Sequence, residues 1–412
     1  MSWRTTSIGE LVDAGAADIQ TGPFGTQLKA SDYVDEGTPV INVRNIGLGS
    51  LRPEKLEFVT EETAERLATH LLEPHDIVFG RKGAVDRHLY VRDEQDHWMQ
   101  GSDCIRLRFI GTDVVPRFAS YAFLTEAHQK WMLAQAGNKA TMASLNHDII
   151  RRITLRLPMS GGQEATVNIL SAYDDLIENN RRRMALLEDA ARQLYREWFV
   201  RLRFPGHEHT RVVDGVPEGW ERKRIADAAD CVGGGTPSTS VSSYWEDGNV
   251  TWVTPTDVTR NTHFVLLDSE KKITDAGLQN SSAKIVPAHA VLMTSRASVG
   301  FFAVAGKEVC TNQGFISVVP HDPGLWPYFL LHLSERVEEI RAMGSGSTYP
   351  EVSRGKFREL AVLLPKHTLA MAFCEQAIVL LKQIRILKQQ NQQLRAARDL
   401  LLPRLMSGEI AV

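Results

Sequence analysis

Apolar residues recur at alternating steps of three and four along two stretches of the chain, from about residue 163 to 203 and from about 368 to 405. This spacing predicts long amphipathic helices that bury one seam against another helix. The first seam consists of Leu170, Tyr173, Ile177, Asn180, Met184, Leu187, Ala191, Leu194 and Trp198. The second consists of Phe373, Ala377, Leu380, Ile384, Leu387, Asn391, Leu394, Arg398 and Leu401. The two seams predict a coiled coil within the chain.

Each seam contains one asparagine, and this pair predicts how the two helices are aligned. If the helices run antiparallel with Asn180 opposite Asn391, then Trp198 meets Phe373 in the same register. Two buried amides that bond each other avoid the cost of an unpaired polar group and fix that register. The alternative is a solvated pair of amides at a frayed position, which specifies nothing.

The residues outside these helices form two similar halves, 1–158 and 212–365. Each half begins with a short amphipathic helix and a Gly-rich turn, followed by a β-branched run predicted as a strand, 39–46 in one and 250–258 in the other. Further along, the strand-like run 77–85 aligns with 291–299, and Gln100-Gly101 aligns with Gln313-Gly314. Each half then has an aromatic-containing helix, a Gly/Thr loop, a short polar helix, a strand and a proline.

This repeat predicts an α+β fold. Two globular domains, each a mixed β-sheet with helices, are joined by two long antiparallel coiled-coil helices in a pseudo-two-fold arrangement. The breaks at Pro158, at Phe204-Pro205 and at Pro365 place the domains at 1–158 and 205–365 and the helical segments at 159–204 and 366–412. Pro403 is expected to end the last helix.

Composition narrows the class of protein. A chain of 412 residues with 43% hydrophobic and 24% charged residues is typical of a globular protein with two or more domains. The net charge of −3 argues against a generally basic nucleic-acid binder but allows local basic patches. The scattered Cys104, Cys231, Cys310 and Cys374, with no CxxC pair and no apolar membrane or signal segment, favour a cytoplasmic protein with reduced thiols.

Familiar catalytic motifs do not occur. The sequence has no GxxxxGK[ST] phosphate loop and no HExxH, and Gly233-Gly234-Gly235 lacks the strand and helix context of a dinucleotide site. The cluster His207-Glu208-His209 lies in the expected linker, where a solvated loop is commoner than a metal site. We therefore expect a non-catalytic binding or organising subunit that holds no metal.

Two segments carry a family resemblance. Residues 163–183, QEATVNILSAYDDLIENNRRR, resemble the central conserved helix of type I restriction-modification specificity subunits, and 401–410, LLPRLMSGEI, are similar to their distal conserved region. The Gly-Thr-Pro-Ser turn at 235–238 and the Gly/Thr loops before the long helices are similar to elements of their target-recognition domains. The resemblance covers the whole chain. The first domain departs from it, with Thr-Gly-Pro-Phe-Gly at 21–25.

The resemblance implies a DNA-binding protein that is not itself an enzyme. Each target-recognition domain would read one half of a bipartite, asymmetric site in double-stranded DNA. The coiled coil would set the spacer and dock two modification (methyltransferase) subunits, and restriction subunits would join them. S-adenosylmethionine, ATP and Mg would be used by those partners and none by this chain. A helix of about 40 residues spans about 60 Å, enough to separate half-sites about 34 Å apart.

Candidate DNA contacts follow from chemistry, because base reading needs forked, amide or hydroxyl side chains on loops and phosphates need cations. In the first domain the candidates are Arg44, Asn45, Arg81, Lys82, Lys139 and Thr141. In the second they are Thr236, Thr256, Ser295, Arg296, Asn312, Gln313, Thr348 and Tyr349. Lys82 and Arg296 are favoured, since both halves place a cation at the same turn. Structural alternatives stay open: Arg44 paired with a carboxylate, and Tyr349 packed in the fold.

Two further readings of the sequence remain. The duplicated domains could bind proteins, which would make the chain a coiled-coil scaffold or adaptor, or the chain could be the detached recognition half of a fused restriction-methylation enzyme. The run Arg181-Arg182-Arg183 is either a surface for DNA or a modification subunit, or a solvated helix face. Steep salt dependence of binding to a bipartite duplex would separate a DNA reader from a scaffold.

Overall fold

The computed structural model describes residues 3–111, 113–137, 144–159, 161–345 and 350–412. The chain divides into two compact units: Met1–Asp175 with Arg395–Val412, and Leu176–Leu394. Along the described part of the chain, none of the helices combines the length and apolarity needed to cross a membrane.

The described residues of the first unit form two small sheets and a strand pair. One sheet has the strand order Ala17–Thr21, Cys104–Phe109, Ile77–Gly80, His88–Tyr90. The other has the order Tyr33–Val34, Glu57–Val59, Thr38–Ile41, Met99–Gln100, and Trp3–Ser7 pairs with Thr154–Pro158. Its shorter α-helices are Ile8–Asp13, Glu61–Arg66, Pro116–Phe123, Glu126–Ala136 and His147–Arg151. Short 3-10 turns lie at Ala30–Asp32, Val43–Asn45, Ala68–His70 and Asp93–Gln95.

The second unit repeats most of this topology and differs in its edge strands. Its first sheet has the order Ala229–Gly233, Phe315–Pro320, Val291–Thr294, Phe302–Ala305, Val265–Leu266. Its second has the order Lys271–Ile273, Val250–Val253, Val309–Thr311, Ile285–Val286, while Glu221–Arg224 pairs with Ala361–Leu364 and Val212–Val213 with Val216–Pro217. The shorter α-helices are Pro255–Thr259, Asp275–Gln279, Trp326–Glu335, Val337–Ala342 and Arg354–Arg358. The 3-10 turns are His207–His209, Ile225–Asp227, Ser242–Tyr244 and Pro323–Leu325.

The two units therefore confirm the duplicated α+β fold. Both second sheets are mixed, because Thr38–Ile41 runs parallel to Met99–Gln100 and Val250–Val253 runs parallel to Val309–Thr311. The predicted strands were too long, however. The first ends at Ile41, before a 3-10 turn, and the second ends at Val253, where Pro255 begins a helix.

The long helices extend over Gly162–Tyr195, continued by a π-helical turn at Arg196–Val200, and over His367–Ser407. The prediction that Pro403 ends the second helix was wrong, since the helix continues for four residues beyond it. Its last residues are held by packing, because Leu402, Leu405 and Met406 lie in the core of the first unit. For the same reason the first compact unit includes the C-terminal residues Arg395–Val412.

In the second unit the predicted antiparallel register is confirmed. The side-chain amide of Asn180 donates to the Oδ1 of Asn391 at 2.9 Å, and the Asn391 amide donates to the carbonyl of Ile177 at 3.1 Å. At the other end of this segment, the ring centroids of Trp198 and Phe373 are 5.8 Å apart. The two asparagines are buried and bond each other, so they are not frayed.

The buried stripe is broader than a strict heptad seam. Leu381 is buried while the predicted Leu380 is only partly buried, and Leu402 is buried while Leu401 is only partly buried. Each helix packs against its partner and also against a globular core, so a second row of side chains leaves solvent. Tyr173, Leu187, Leu194 and Leu394 are also partly buried, and the remaining apolar seam residues are buried.

Each unit buries a histidine whose titration should make stability depend on pH. Burial lowers the pKa of His88 in the first unit, and that of His332 in the second, to about 3. Unfolding restores the ordinary pKa of about 6.5, so the unfolded chain binds these protons first. Stability is therefore fully present above about pH 6.5 and is lost as the pH falls towards 3. We expect each histidine to remove about 2 kcal/mol of unfolding free energy between pH 7.5 and 5.

Urea denaturation at the two pH values tests this expectation. His332→Gln should reduce the pH dependence of the unfolding free energy of the second unit. His88→Gln should do the same for the first unit. Equal stability of the parent protein at both pH values would contradict it.

Candidate nucleic-acid interface

In the second unit several loops meet at one edge of the two sheets. The backbone N–H of Gly235, in the Gly-rich turn, donates to the carbonyl of Thr311 at 2.9 Å, and that of Ser295 donates to Gly314 at 2.8 Å. A Cβ added at Gly234 would lie 2.2 Å from the carbonyl oxygens of Asn312 and Thr311. This close approach of two backbones excludes any side chain at position 234.

The predicted residues of the second unit divide between exposed groups and supporting groups. Thr236 and Gln313 are exposed, and the Thr236 hydroxyl donates to the Gln313 Oε1 at 2.5 Å. Thr256 is exposed in the first turn of the helix Pro255–Thr259. By contrast, Ser295 is buried, and the Oδ1 of Asn312 accepts from the backbone of Gly314 at 2.9 Å. We assign Ser295 and Asn312 to the support of the loops.

Arg296 is a cation at this edge. It lies opposite Glu351 in an isolated antiparallel bridge, and its Nε donates to the Glu351 Oε1 at 2.8 Å. Both side chains remain about half exposed. The arginine is therefore held in place without being withdrawn from solvent.

The first unit has the same arrangement of loops. The backbone N–H of Arg81 donates to the carbonyl of Asp103 at 2.7 Å, and the backbone carbonyl of Arg81 accepts from the N–H of Leu145 at 2.8 Å. In the second unit the backbone of Ser295 makes the same two bonds, to Gly314 and from Val352. Lys82 lies in a bridge opposite Ser144, and a Cβ at Gly22 would lie 1.9 Å from the carbonyl oxygen of Gly101. The predicted equivalence of Lys82 and Arg296 is thus confirmed, although the two Gly-rich turns differ in sequence.

One sequence alignment was wrong by two residues. The N–H of Gly101 donates to Ile41, and the N–H of Asn312 donates to Val253, so these two residues are equivalent. Gln100 therefore corresponds to Thr311 and not to Gln313. Its side chain is buried and donates to the carbonyls of Gln20 and Cys104 at 2.9 and 3.0 Å. The Gln-Gly dipeptide occurs in both repeats, but the strand pairing shows that its two copies are not at equivalent positions.

The four described candidates of the first unit differ in their exposure and in their partners. Asn45 is 0% exposed, and its amide donates to the carbonyls of Arg52 and Glu54 at 3.0 and 3.1 Å. It therefore supports its turn and is removed from the candidate contacts. Arg44 is exposed but paired with Glu57 at 2.5 Å, the alternative that the sequence left open. Arg81 is partly buried, and Lys82 pairs through Nζ with Asp103 at 3.2 Å.

Four candidate DNA contacts lie outside the described residues, namely Lys139, Thr141, Thr348 and Tyr349. Of the arginine run on the first long helix, Arg181 and Arg182 pair with Glu178 at 3.7 and 3.3 Å, as on a solvated helix face. Within the described ranges, no group of three His, Cys, Asp or Glu side chains is placed to hold a metal ion.

Sequence reasoning missed a position on the short helix that follows each Gly/Thr loop. In the first unit the Nε2 of His147 lies 2.8 Å from the Oγ1 of Thr21. In the second, a Cβ at Gly233 would lie 3.2 Å from a terminal nitrogen of Arg354. Both residues are therefore beside the strand that leads into the Gly-rich turn. The first position of the short helix could have been compared between the repeats, because it is basic or imidazole in both.

Comparison with known proteins agrees with the repeat. A sequence model of the family described as type I restriction modification DNA specificity domain matches residues 2–189 and again 217–394. The type I restriction enzyme HindI specificity subunit of Haemophilus influenzae is 22% identical over 387 residues, covering 79% of this chain and 84% of that protein. The MjaIX specificity subunit of Methanocaldococcus jannaschii is 32% identical over 152 residues, 36% of this chain and only 35% of that protein.

A solved structure has a similar fold. The type I restriction-modification S subunit from M. genitalium aligns with a TM-score of 0.59 at 15% sequence identity, covering 98% of this chain and 96% of that chain. The similarity extends over both repeats and both long helices.

Proposed function

This chain belongs to the type I restriction-modification DNA specificity family, and on that premise we propose that it selects the DNA sequence on which a type I restriction-modification complex acts. The observation that carries this proposal is the duplicated loop edge, in which each unit places a half-exposed cation, Lys82 or Arg296, at an equivalent turn. Hydroxyl and amide groups of Thr236 and Gln313 lie exposed at the same edge of the second unit. Such groups read base edges, while cations also bind phosphates.

Each unit would read one half of a bipartite site. The equivalent loops carry different side chains, Gly101-Ser102-Asp103 in the first unit and Asn312-Gln313-Gly314 in the second. Since base selection depends on the donors and acceptors presented, different loops select different half-sites. The complete site would therefore be asymmetric.

The long helices would set the spacing between half-sites and dock two modification subunits, which restriction subunits would join. S-adenosylmethionine, ATP and Mg would be used by those partners, and this chain would act as the non-catalytic specificity component. The helices support this role by their lengths of 34 and 41 residues, about 50 and 60 Å at ~1.5 Å per residue. The expected cytoplasmic location stays a prediction.

Removing a matched heptad from both helices tests the spacing role. Deletion of residues 176–182 together with 389–395 takes out segments that face each other in the predicted register, with both asparagines. Seven residues correspond to about 10 Å, so we expect the preferred spacer to shorten by about 3 base pairs. Binding to duplexes of graded spacer length gives the measurement. Asn180→Leu with Asn391→Leu is the control, because it keeps the helix length and should keep the spacer.

Removal of one cation at a time tests the assignment of half-sites. We expect Lys82→Ala to relax base preference in one block of the selected site and Arg296→Ala in the other, each with a loss of affinity of about tenfold. Selection from a randomised duplex library measures both effects. Lys130→Ala and Arg224→Ala serve as controls, since these exposed cations lie outside the loop edge and pair with Glu126 and Asp227, respectively. If both test variants altered the same block, the division into half-sites would be wrong.

A further inference from the structure

We propose that Arg296, oriented by Glu351, selects a guanine in the half-site read by the second unit. The proposal rests on the function proposed above and adds to it one base, one reading side chain and one positioning side chain. Glu351 is the new residue, since only its partner Arg296 was a candidate from the sequence.

The backbone fixes these two residues side by side. The N–H of Val352 donates to the carbonyl of Ser295 at 3.0 Å, and the N–H of Ala297 donates to Pro350 at 3.1 Å. Arg296 and Glu351 lie between these bonds, so they form the closely spaced type of antiparallel pair, in which opposite side chains are nearest. Glu351 is itself held on its other side, because it exchanges two backbone bonds of 3.0 Å with Ser345.

The side-chain bond orients the guanidinium and leaves its fork free. Glu351 accepts from the Nε of Arg296 at 2.8 Å, and neither terminal nitrogen of Arg296 has a bonding partner in the described part of the chain. The two side chains are 49% and 43% exposed. Guanine presents O6 and N7 in the major groove as two acceptors that a planar guanidinium can contact together. The Glu351 carboxylate, bonded to Nε, restrains the rotation of the Arg296 guanidinium. This restraint favours a single orientation of the two terminal nitrogens towards a base.

The turn that carries Arg296 is also restrained. Ala297 has a φ of 58°, a left-handed conformation that alanine seldom adopts, and its equivalent in the first unit is Gly83 at 76°. Ser295 is tied through its N–H to Gly314, next to the exposed Gln313. Arg296 therefore projects from a turn with little freedom, close to a second side chain that can contact a base.

The first unit lacks this arrangement. Ser144 occupies the position of Glu351, and Lys82 occupies that of Arg296. Lys82 pairs through its only charged atom, Nζ, with Asp103 from a different loop. An ammonium is a point charge without the planar fork that can contact O6 and N7 of guanine together, so it imposes no comparable geometry on that base edge. The guanine preference is thus expected in one half-site only.

Selection of bound sequences by the full chain from a randomised duplex library tests the proposal. We expect Arg296→Lys, which copies the first unit, to reduce the preference for guanine at one position by about tenfold or more. Glu351→Ala should weaken the preference at that same position several-fold, whereas Glu351→Gln, which retains an acceptor for Nε, should restore most of it. The block read by the first unit is an internal control for folding, and it should be unchanged in all three variants.

Each other outcome overturns a defined part of the account. An unchanged base profile for Arg296→Lys would exclude guanine reading, and an unchanged profile for Glu351→Ala would exclude positioning. Tighter binding of Glu351→Ala to every sequence, with the same profile, would show that Glu351 only neutralises Arg296. If the unsubstituted chain selected no motif, the proposed function would fail instead.

Discussion

Asp174→Asn should lower the free energy of unfolding of the first unit by about 3–5 kcal/mol. One oxygen of Asp174 accepts from Arg117 at 2.6 Å and from the Tyr121 hydroxyl at 2.7 Å, and the other accepts from Arg398 at 2.7 Å. Burial alone would raise the pKa of Asp174, but the bonds from these three side chains outweigh it and hold that pKa below its ordinary value. The amide would leave the partly buried guanidinium of Arg117 without its counterion, and Arg398 with Asp399 alone, at 2.8 Å.

Asp175→Asn is the matched control for this change. Asp175 is the next residue of the same helix, its side chain is 70% exposed, and its nearest cation, Arg92, is 4.0 Å away. Exposed pairs of this kind contribute less than about 1 kcal/mol. Urea denaturation should therefore separate the two variants clearly. Equal losses would mean that the Asp174 cluster does not anchor the C-terminal residues to this unit, because Arg398 belongs to that segment.

The asparagine pair should give the second large effect. Asn180→Leu leaves the Oδ1 of Asn391 without its donor in a buried seam, and we expect it to cost about 2 kcal/mol. Asn391→Leu should cost more, about 3 kcal/mol, since it removes the acceptor of Asn180 and also the bond to the Ile177 carbonyl. The double substitution should recover most of this stability, because no polar group is then stranded.

A double-mutant cycle measured by urea denaturation gives the coupling between the two amides. Asn179→Leu, one residue away and exposed, is the control and should change stability by less than about 0.5 kcal/mol. Additive losses in the double variant would show that the two amides act independently and do not specify the register.

Much of the fold could be predicted because periodic patterns depend on near neighbours in the sequence. The seams, the asparagine register and the duplicated domains all follow from spacing within helices or from the repeat itself. The end of a strand at Ile41 could not be predicted, since it depends on the Asn45 side chain reaching the carbonyls of Arg52 and Glu54. The continuation of the last helix past Pro403 likewise depends on packing against the first unit.

The candidate interface was predicted less completely, because its residues are brought together by strand pairing between distant parts of the chain. Comparison of the repeats was enough to find Lys82 and Arg296. The partners of these cations, Asp103 and Glu351, come from other loops and have no counterpart at the same position in the other repeat. Residue type alone gave a wrong prediction for Asn45. Its amide could contact a base edge, but the residue is buried and bonds the backbone of its own turn.

The central claim is that two similar units read two different half-sites. Selection by the full chain from a randomised duplex library, sequenced after binding at moderate salt, tests it most directly. We expect two blocks of defined sequence, unlike each other, separated by a fixed number of unselected base pairs. A single continuous block, or no enriched sequence at all, would contradict it.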